Sequence, residues 1–434
     1  MKTPPIARIG LKLYPVIFLL ACSPHAWGQQ PAAFNFDTCV NLAVKNYPLE
    51  KQKSYLQQIE ENNNSRLNGA WLPQLMVNST ATEFSEVVSF NLPGFGAFAA
   101  MMPTFYHDQY NLGIDLRQTI YDGGVTAQEK RTSAANTDAE IEKNEVDIYQ
   151  LKERVLKLYA GILLTKENIK IIYSYLNDLK SREQDLTSKV KNGAMLQSNL
   201  DALQVEMLNT GQKAIEAKSN LNALCGALTL LTGRQVDTGA VFAGFAPQGI
   251  KGADSVNRPE IKLFELRQKA LQEQTILAGR KEQPHLYLFG SGDYGRPGYN
   301  FLDQNFRPYG MVGLNLTWNI TGLYDLKYEK ENLSISNKMV DNNKDAFMLE
   351  THSAMVRQSS EIDKLRQFTA SDSLIVNKRR MMSKTAADHL DNGTITASDY
   401  ITQLTAEKQA LLNQTIHQIE LQAAYIDYRI TTGN

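Results

Sequence analysis

Side chains with catalytic or ligating potential are few and scattered in this chain. Six histidines stand at positions 25, 107, 285, 352, 389 and 417, with no His-Glu-x-x-His pair and no cluster at metal-ligand spacing. Three cysteines are too few for a disulfide framework, and no Cys-x-x-Cys pair points to structural zinc. Cys39 and Cys225 have no evident base or oxyanion donor beside them. They are expected to be free, packed thiols unless the fold brings them within disulfide range. Gly290-Ser291-Gly292 lacks the lysine of a phosphate loop, and Arg379-Arg380 is too small a basic patch for nucleic acid. The pattern predicts no catalytic, metal or cofactor site, so the chain reads as a non-enzyme. Its chemistry must lie in shape and charge pattern.

The chain has 434 residues and is 43% apolar, enough for a large core and too apolar for a disordered polymer. Forty-five Lys and Arg against 46 Asp and Glu argue against a polyanion-binding face. Residues 1–28 read as a secretory signal: Lys2, Arg8 and Lys12, then apolar Leu13–Ala21, then Pro24 before Ala26-Trp27-Gly28. An alternative is a lipoprotein signal, because Leu19-Leu20-Ala21-Cys22 resembles a lipobox and would leave Cys22 acylated. Removing the three cations of this segment moves the formal charge from −1 to −4. No later apolar run approaches the roughly twenty residues of a membrane helix. That excludes an inner-membrane bundle and leaves a β-barrel open.

The helical signal is unusually long. Val125 to about Lys191 contains no proline and one glycine, Gly161, and Ile148, Leu151, Val155, Leu158 and Ile162 recur at spacings of three and four. Such a seam suits coiled-coil packing. Unbroken, the span would reach roughly 100 Å; the alternative is two helices with a break near Gly161. Further amphipathic runs cover Ser198–Leu230, about Tyr324–Leu390, and Asp399–Ile430.

The sequence also describes one unit twice. Trp71-Leu72-Pro73-Gln74-Leu75 is answered by Glu282-Gln283-Pro284-His285-Leu286 at an offset of 211. Leu112-Gly113-Ile114-Asp115-Leu116 is answered by Val312-Gly313-Leu314-Asn315-Leu316, and Lys191-Asn192-Gly193 by Asp391-Asn392-Gly393, both at 200. Ordered matches of this kind indicate an internal duplication. The first repeat would span 29–233, a linker 234–255, and the second repeat 256–434. Leu112, Ile114, Leu116 and Ile120 alternate with polar or small residues, as do Val312, Leu314, Leu316, Trp318 and Ile320. Period two with one apolar face predicts a hairpin at about 75–121 and another at about 285–320. Their partner strands are read at about Leu75–Asn91 and His285–Tyr294. Four strands cannot close a barrel, and their edges would be unpaired in lipid. A membrane reading therefore requires several chains; a water-soluble sheet capped by its own helices is the other reading.

Together these residues resemble the outer-membrane efflux protein family, the TolC-like channels, over about 35–433. The markers are WLPQL at 71–75, LGIDLRQTIYDGG at 112–124, KNGAMLQSNLDA at 191–202 and NGTITASDY at 392–400. The resemblance implies a mixed α/β membrane protein forming a homotrimer. Each protomer would give four strands to one twelve-stranded barrel in outer-membrane lipid, and its helices would form a coiled-coil tunnel in the periplasm of a Gram-negative bacterium. It implies a periplasmic adaptor (membrane fusion) protein and an inner-membrane pump of the resistance-nodulation-division type as partners, and efflux of small solutes or drugs. An exit duct for a type I protein secretion system uses the same architecture. An exported coiled-coil scaffold with no pore is the rival from another class.

By the same resemblance Asp399 coincides with a constriction aspartate, while Thr402 stands where relatives carry a second one. Asp388, Asp391 and Asn199 join it as constriction candidates. Converging carboxylates would favour cations. The other reading of Asp399 is a helix N-terminal carboxylate beside Ser398. Gly193 and Gly393 are expected to make the tip turns, with Ala194, Met195, Leu196, Thr394 and Ile395 offered to an adaptor. Tyr110, Tyr121, Tyr309 and Trp318, near strand ends, would supply an interfacial aromatic belt or simply pack.

Overall fold

In the computed structural model the residues described are 33–89, 94, 103, 105–245 and 255–433. The signal segment 1–28 with Cys22, and Asn91, lie outside them. Alternation of side chains decides the strands: β1 (Gln74–Glu83), β2 (Asp108–Tyr121), β3 (His285–Arg296) and β4 (Arg307–Thr317). They form one antiparallel sheet in the order β1-β2-β3-β4. The first strand stops at Glu83, short of the expected Asn91, and the last stops at Thr317.

Cross-strand partners share a face. Leu75 faces Leu116, Val77 faces Ile114, Leu112 faces Tyr294, and Leu288 faces Leu314. That face is apolar and uncovered, with Leu75 70% and Val312 76% exposed. The opposite face carries Asn78 bonded to Asp115, Asn111 donating to Asp293 at 3.2 Å, and Arg117 stacked 3.8 Å over Tyr287. Among the described residues both outer strands lack a partner strand, so the sheet is open.

Two helices, α1 (Phe36–Asn46) and α2 (Gln52–Asn68), precede the sheet. Between the hairpins run α3 (Val125–Tyr149), α4 (Leu151–Lys191), α5 (Gln197–Thr232) and α6 (Pro259–Lys281). After the second hairpin come α7 (Gly322–Asp391) and α8 (Ala397–Thr432). The 70 residues of α7 make a rod of about 105 Å. α4 lies along α5, α7 along α8 and α3 along α6, while α8 joins the two long pairs by touching both α4 and α5. The run from Val125 to Lys191 is neither unbroken nor divided at Gly161. It is interrupted at Gln150, which keeps helical angles (φ −62°, ψ −18°) while the Arg154 N–H stretches to 3.5 Å from its carbonyl. Gly161 instead permits close approach: a Cβ there would stand 3.4 Å from a Leu224 methyl.

Each hairpin feeds a long helix by a different turn. After β2, Gly123 and Gly124 adopt φ +68° and +81°, and the Asp122 carboxylate accepts from the Gly124 and Thr126 amides at 2.9 and 2.7 Å. After β4, Asn319 accepts from the Thr321 hydroxyl and the Gly322 amide, with no left-handed glycine.

Two apolar clusters hold the helices. One joins α1 to α4 and α5 through Cys39, Val40, Val155, Tyr159, Ile162, Leu221 and Leu228. Residues 234–245, expected as part of a linker, pack on it: Val236 is buried and Phe242 pairs with Phe34 in a short bridge. The other lies at the far ends of four helices, α4, α5, α7 and α8. No helix among the described residues is long and apolar enough to cross a membrane.

Candidate functional site

Where α4 meets α5 and α7 meets α8, the chain reverses through Gly193 and Gly393, with φ +72° and +67°. Left-handed backbone is where glycine carries no Cβ penalty. Both turns satisfy helix-end carbonyls alike: Gly193 and Ala194 donate to Val190 and Lys189, and Gly393 and Thr394 to Leu390 and His389, at 2.8–3.0 Å. Neither glycine has a neighbour within 4 Å of the missing Cβ, so conformation alone demands it.

The adaptor-contact candidates divide by burial. Met195 and Ile395 turn inward onto the four-helix cluster formed around Tyr175, Leu179, Leu203, Leu390 and Tyr400. Ala194 and Thr394 stay exposed, and Leu196 is 72% exposed. The Thr394 hydroxyl donates to the His389 carbonyl at 2.9 Å.

The four constriction candidates occupy distinct settings. Asp391 is clamped between Arg182 at 2.7 Å and Lys189 at 2.8 Å, both on α4. The Lys189 hydrogen bond, then that of Arg182, holds its carboxyl below the ordinary value. Arg182 also stacks 5.2 Å over the ring of Tyr400. Asp391 therefore ties the second hairpin to the first. Asn199, on α5, does the same: its side-chain carbonyl accepts from the Ala397 amide, the first of α8, at 2.9 Å. Asp399 is exposed and completes a reciprocal cap with Thr396, whose amide and hydroxyl donate to it at 3.0 and 2.7 Å. The Thr396 hydroxyl, then its amide, lowers the Asp399 pKa. Its carboxylate opens onto a groove lined by Lys378, Met381, Met382, His389, Ile395 and Gln403. Asp388 is exposed on the last turn of α7.

Other cross-hairpin links were not singled out from sequence. Lys408 of α8 pairs with Asp178 at 2.5 Å, and the Tyr175 hydroxyl lies 2.8 Å from Thr405 of α8; within the first hairpin it also donates to Glu206 at 3.1 Å. The available signal was periodic: Asp178, Arg182, Asp185 and Lys189 recur at spacings of four, three and four, one charged face of α4.

The aromatic candidates also separate. Tyr110 lies opposite Ala81 and Arg296 on the apolar side of the sheet. A bulge between Thr119 and Tyr121 brings Tyr121 opposite Leu286, on that same side. Trp318 is exposed just past β4 and donates its ring N–H to the Glu282 carbonyl at 3.0 Å. Tyr309 lies opposite Asp293 on the polar side, where its ring meets Tyr299.

Cys39 and Cys225 are free and buried in one cluster; burial pushes the Cys39 thiol up to about 11 and raises Cys225 as well. Such thiols are poor nucleophiles. Among the described residues no group of three His, Cys, Asp or Glu side chains could hold a metal ion. What the arrangement does offer is a laced tip, an open sheet and an uncovered apolar face.

No protein-family model matches the chain, and no curated protein does. Solved structures do match. The outer membrane protein VceC of Vibrio cholerae aligns with TM-score 0.67 at 12% identity, over 92% of this chain and 96% of that one. The CmeC outer membrane channel of Campylobacter jejuni aligns with TM-score 0.65 at 14% identity, over 98% and 94%. The MtrE outer membrane channel of Neisseria gonorrhoeae aligns with TM-score 0.58 at 12% identity, over 92% and 89%. At these identities the likeness is one of fold, and this chain has the protomer fold of those outer-membrane channel proteins.

Proposed function

We propose that the chain is the outer-membrane exit duct of a tripartite efflux system, passing small solutes or drugs delivered by an inner-membrane pump through a periplasmic adaptor. The open, one-sidedly apolar sheet carries this reading. Leu75, Leu112, Val312 and Leu314 stand bare, and among the described residues β1 and β4 offer unpaired backbone. In lipid each unpaired N–H or C=O costs several kcal/mol, about 2–7 by transfer measures, so the edges must be closed by other copies. Three protomers would give a twelve-stranded barrel whose lumen is lined by Asn78, Asp115, Arg117 and Asp293. Tyr110, Tyr121 and Trp318 would lie at its borders with the head groups.

The helices support the same assembly. Leu349 and Val356 of α7, and Leu208 and Ile215 of α5, are each about 70% exposed and seven residues apart. Apolar stripes of that spacing suit coiled-coil contacts with neighbouring protomers. The likeness between the two halves is read as a duplication, which would make the trimer a ring of six similar hairpins. At the tips, Leu196 and Thr394 would face an adaptor serving a pump of the resistance-nodulation-division type. Asp399 and Asp388 would bias the constriction toward cations.

Planar-bilayer recording on detergent-purified protein tests the duct. Discrete single-channel steps from trimers are expected. Folded trimers that never conduct, or a folded particle of one-protomer mass, would overturn it.

A further inference from the structure

At the opposite end of the long helices from the tips, a cavity of about 550 Å³ opens between the start of α1, the start of α4, residues 243–245 and the last turns of α8. Its walls include Phe36, Val40, Phe245 and Ile426, with Lys152 and Arg429 as cations among the described lining residues. Lys152 is half-buried and lies 4.1 Å over the ring of Tyr149. Tyr149 is held in place by its hydroxyl, which donates to the Ile430 carbonyl at 2.8 Å.

Arg258 also stacks on Tyr149, at 5.1 Å, but its guanidinium is engaged by Glu260. Among the described residues no carboxylate forms an ion pair with Lys152, whereas burial, Arg429 and Arg258 all press its ammonium toward the neutral form. Asp37, the acidic residue among the described lining, is exposed. An ammonium drawn partly out of water with no carboxylate on it costs energy that an anion would relieve. The apolar walls would meanwhile reward a hydrocarbon or aromatic body.

We infer that this cavity is a binding site for a small organic anion, its carboxylate or phosphate paired with Lys152 and its apolar body packed on Phe36, Phe245 and Ile426. The site lies on described residues of one protomer and goes beyond the duct reading without depending on it. Conductance is therefore not its readout.

The test is calorimetric titration of the full-length detergent-purified protein with 3-phenylpropionate, phenyl phosphate and the neutral 3-phenylpropionamide. At least one anion is expected to bind once per protomer, at least tenfold more tightly than the amide. Preference between the two anions identifies the head group. Lys152→Met should weaken the bound anion at least tenfold without lowering the melting temperature, since it removes an uncompensated cation. Ile426→Trp, which fills the cavity and keeps Lys152, should also abolish binding. Failure of both anions to bind the wild-type protein, amide binding of equal strength, or unchanged binding by Lys152→Met would each overturn the inference. If either variant misfolds, the comparison of anion with amide on the wild-type protein still decides it.

Discussion

The two hairpin tips solve one backbone problem and then diverge in their side chains. Each reverses through a left-handed glycine and pairs the same two amides with the same two carbonyls. Beyond the turn, α5 follows Leu196, which gives it no side-chain cap, whereas α8 begins with the reciprocal Thr396–Asp399 cap. Asn199 and Asp399, two hundred positions apart, take opposite parts. Asp399 caps its own helix, and Asn199 reaches out to cap its neighbour's first amide. Turn geometry thus comes from glycine, while polar side chains decide which hairpin leans on which. The second tip leans on the first.

Removing the clamp at Asp391 should expose that dependence most. Arg182 and Lys189 are 16% and 30% exposed at the side chain, so Asp391→Ala leaves two shielded cations without their partner. Breaking a buried pair costs about 3–5 kcal/mol. Asp391 is itself 44% exposed, so solvent screening reduces the expected loss to about 2 kcal/mol. The measurement is the melting temperature of the purified protein. Because the folded pKa of Asp391 is depressed, its contribution is complete above the ordinary aspartate value and is lost as pH falls through the lowered one. The gap between wild type and variant should therefore close in acid. In a bilayer the same variant should raise basal conductance, by freeing the second tip.

Asn199→Ala comes next. It strands the amide of fully buried Ala397, a loss of about 1–2 kcal/mol. Asn199→Asp keeps the acceptor and should recover most of it. Asp399 sits at the matching place in the second tip and caps only its own turn, so equal melting temperatures for Asn199→Ala and Asp399→Ala would erase the proposed asymmetry. Smaller still, and equal at the two tips, is glycine replacement. Gly193→Ala and Gly393→Ala meet no neighbour, so each costs only the left-handed backbone, about 1 kcal/mol. A large difference between them, read by melting temperature, would mean that one tip is crowded.

Much of this was open to reading before the structure. Periods of two and of three to four placed the hairpins and the long helices, because a half-exposed sheet and an amphipathic rod each write their face into the chain. The tip glycines were visible beside their asparagines. Parity could also have placed Tyr309, which is odd-numbered against Val312 and Leu314 and so falls on the polar face. Tyr121 breaks that rule through a one-residue bulge that composition does not announce. The partners of Asp391 and Asn199 lie about two hundred residues away, and no local pattern reports them. Gly161 misled because glycine can mark a close contact between helices as well as a break.

The smallest thermal effect and the most specific functional one should come from Asp399→Asn. Its carboxylate is exposed, so an amide oxygen can still accept from Thr396 and the cap should survive with little change in melting temperature. The Thr396 hydroxyl and amide lower its pKa, so the charge persists at any pH above the ordinary carboxylate range. In a closed trimer three such charges would converge where the tips meet, each beside the groove that holds Lys378 and His389. Neutralising them should lower the preference for cations over anions, measured as the reversal potential in a salt gradient, while Thr396→Ala, which removes the cap's hydroxyl and keeps the charge, should leave that preference intact. A helix-capping role alone would give the reverse order, with Thr396→Ala the more damaging and selectivity unmoved in both. The pair of variants therefore separates the two roles that one carboxylate can hold.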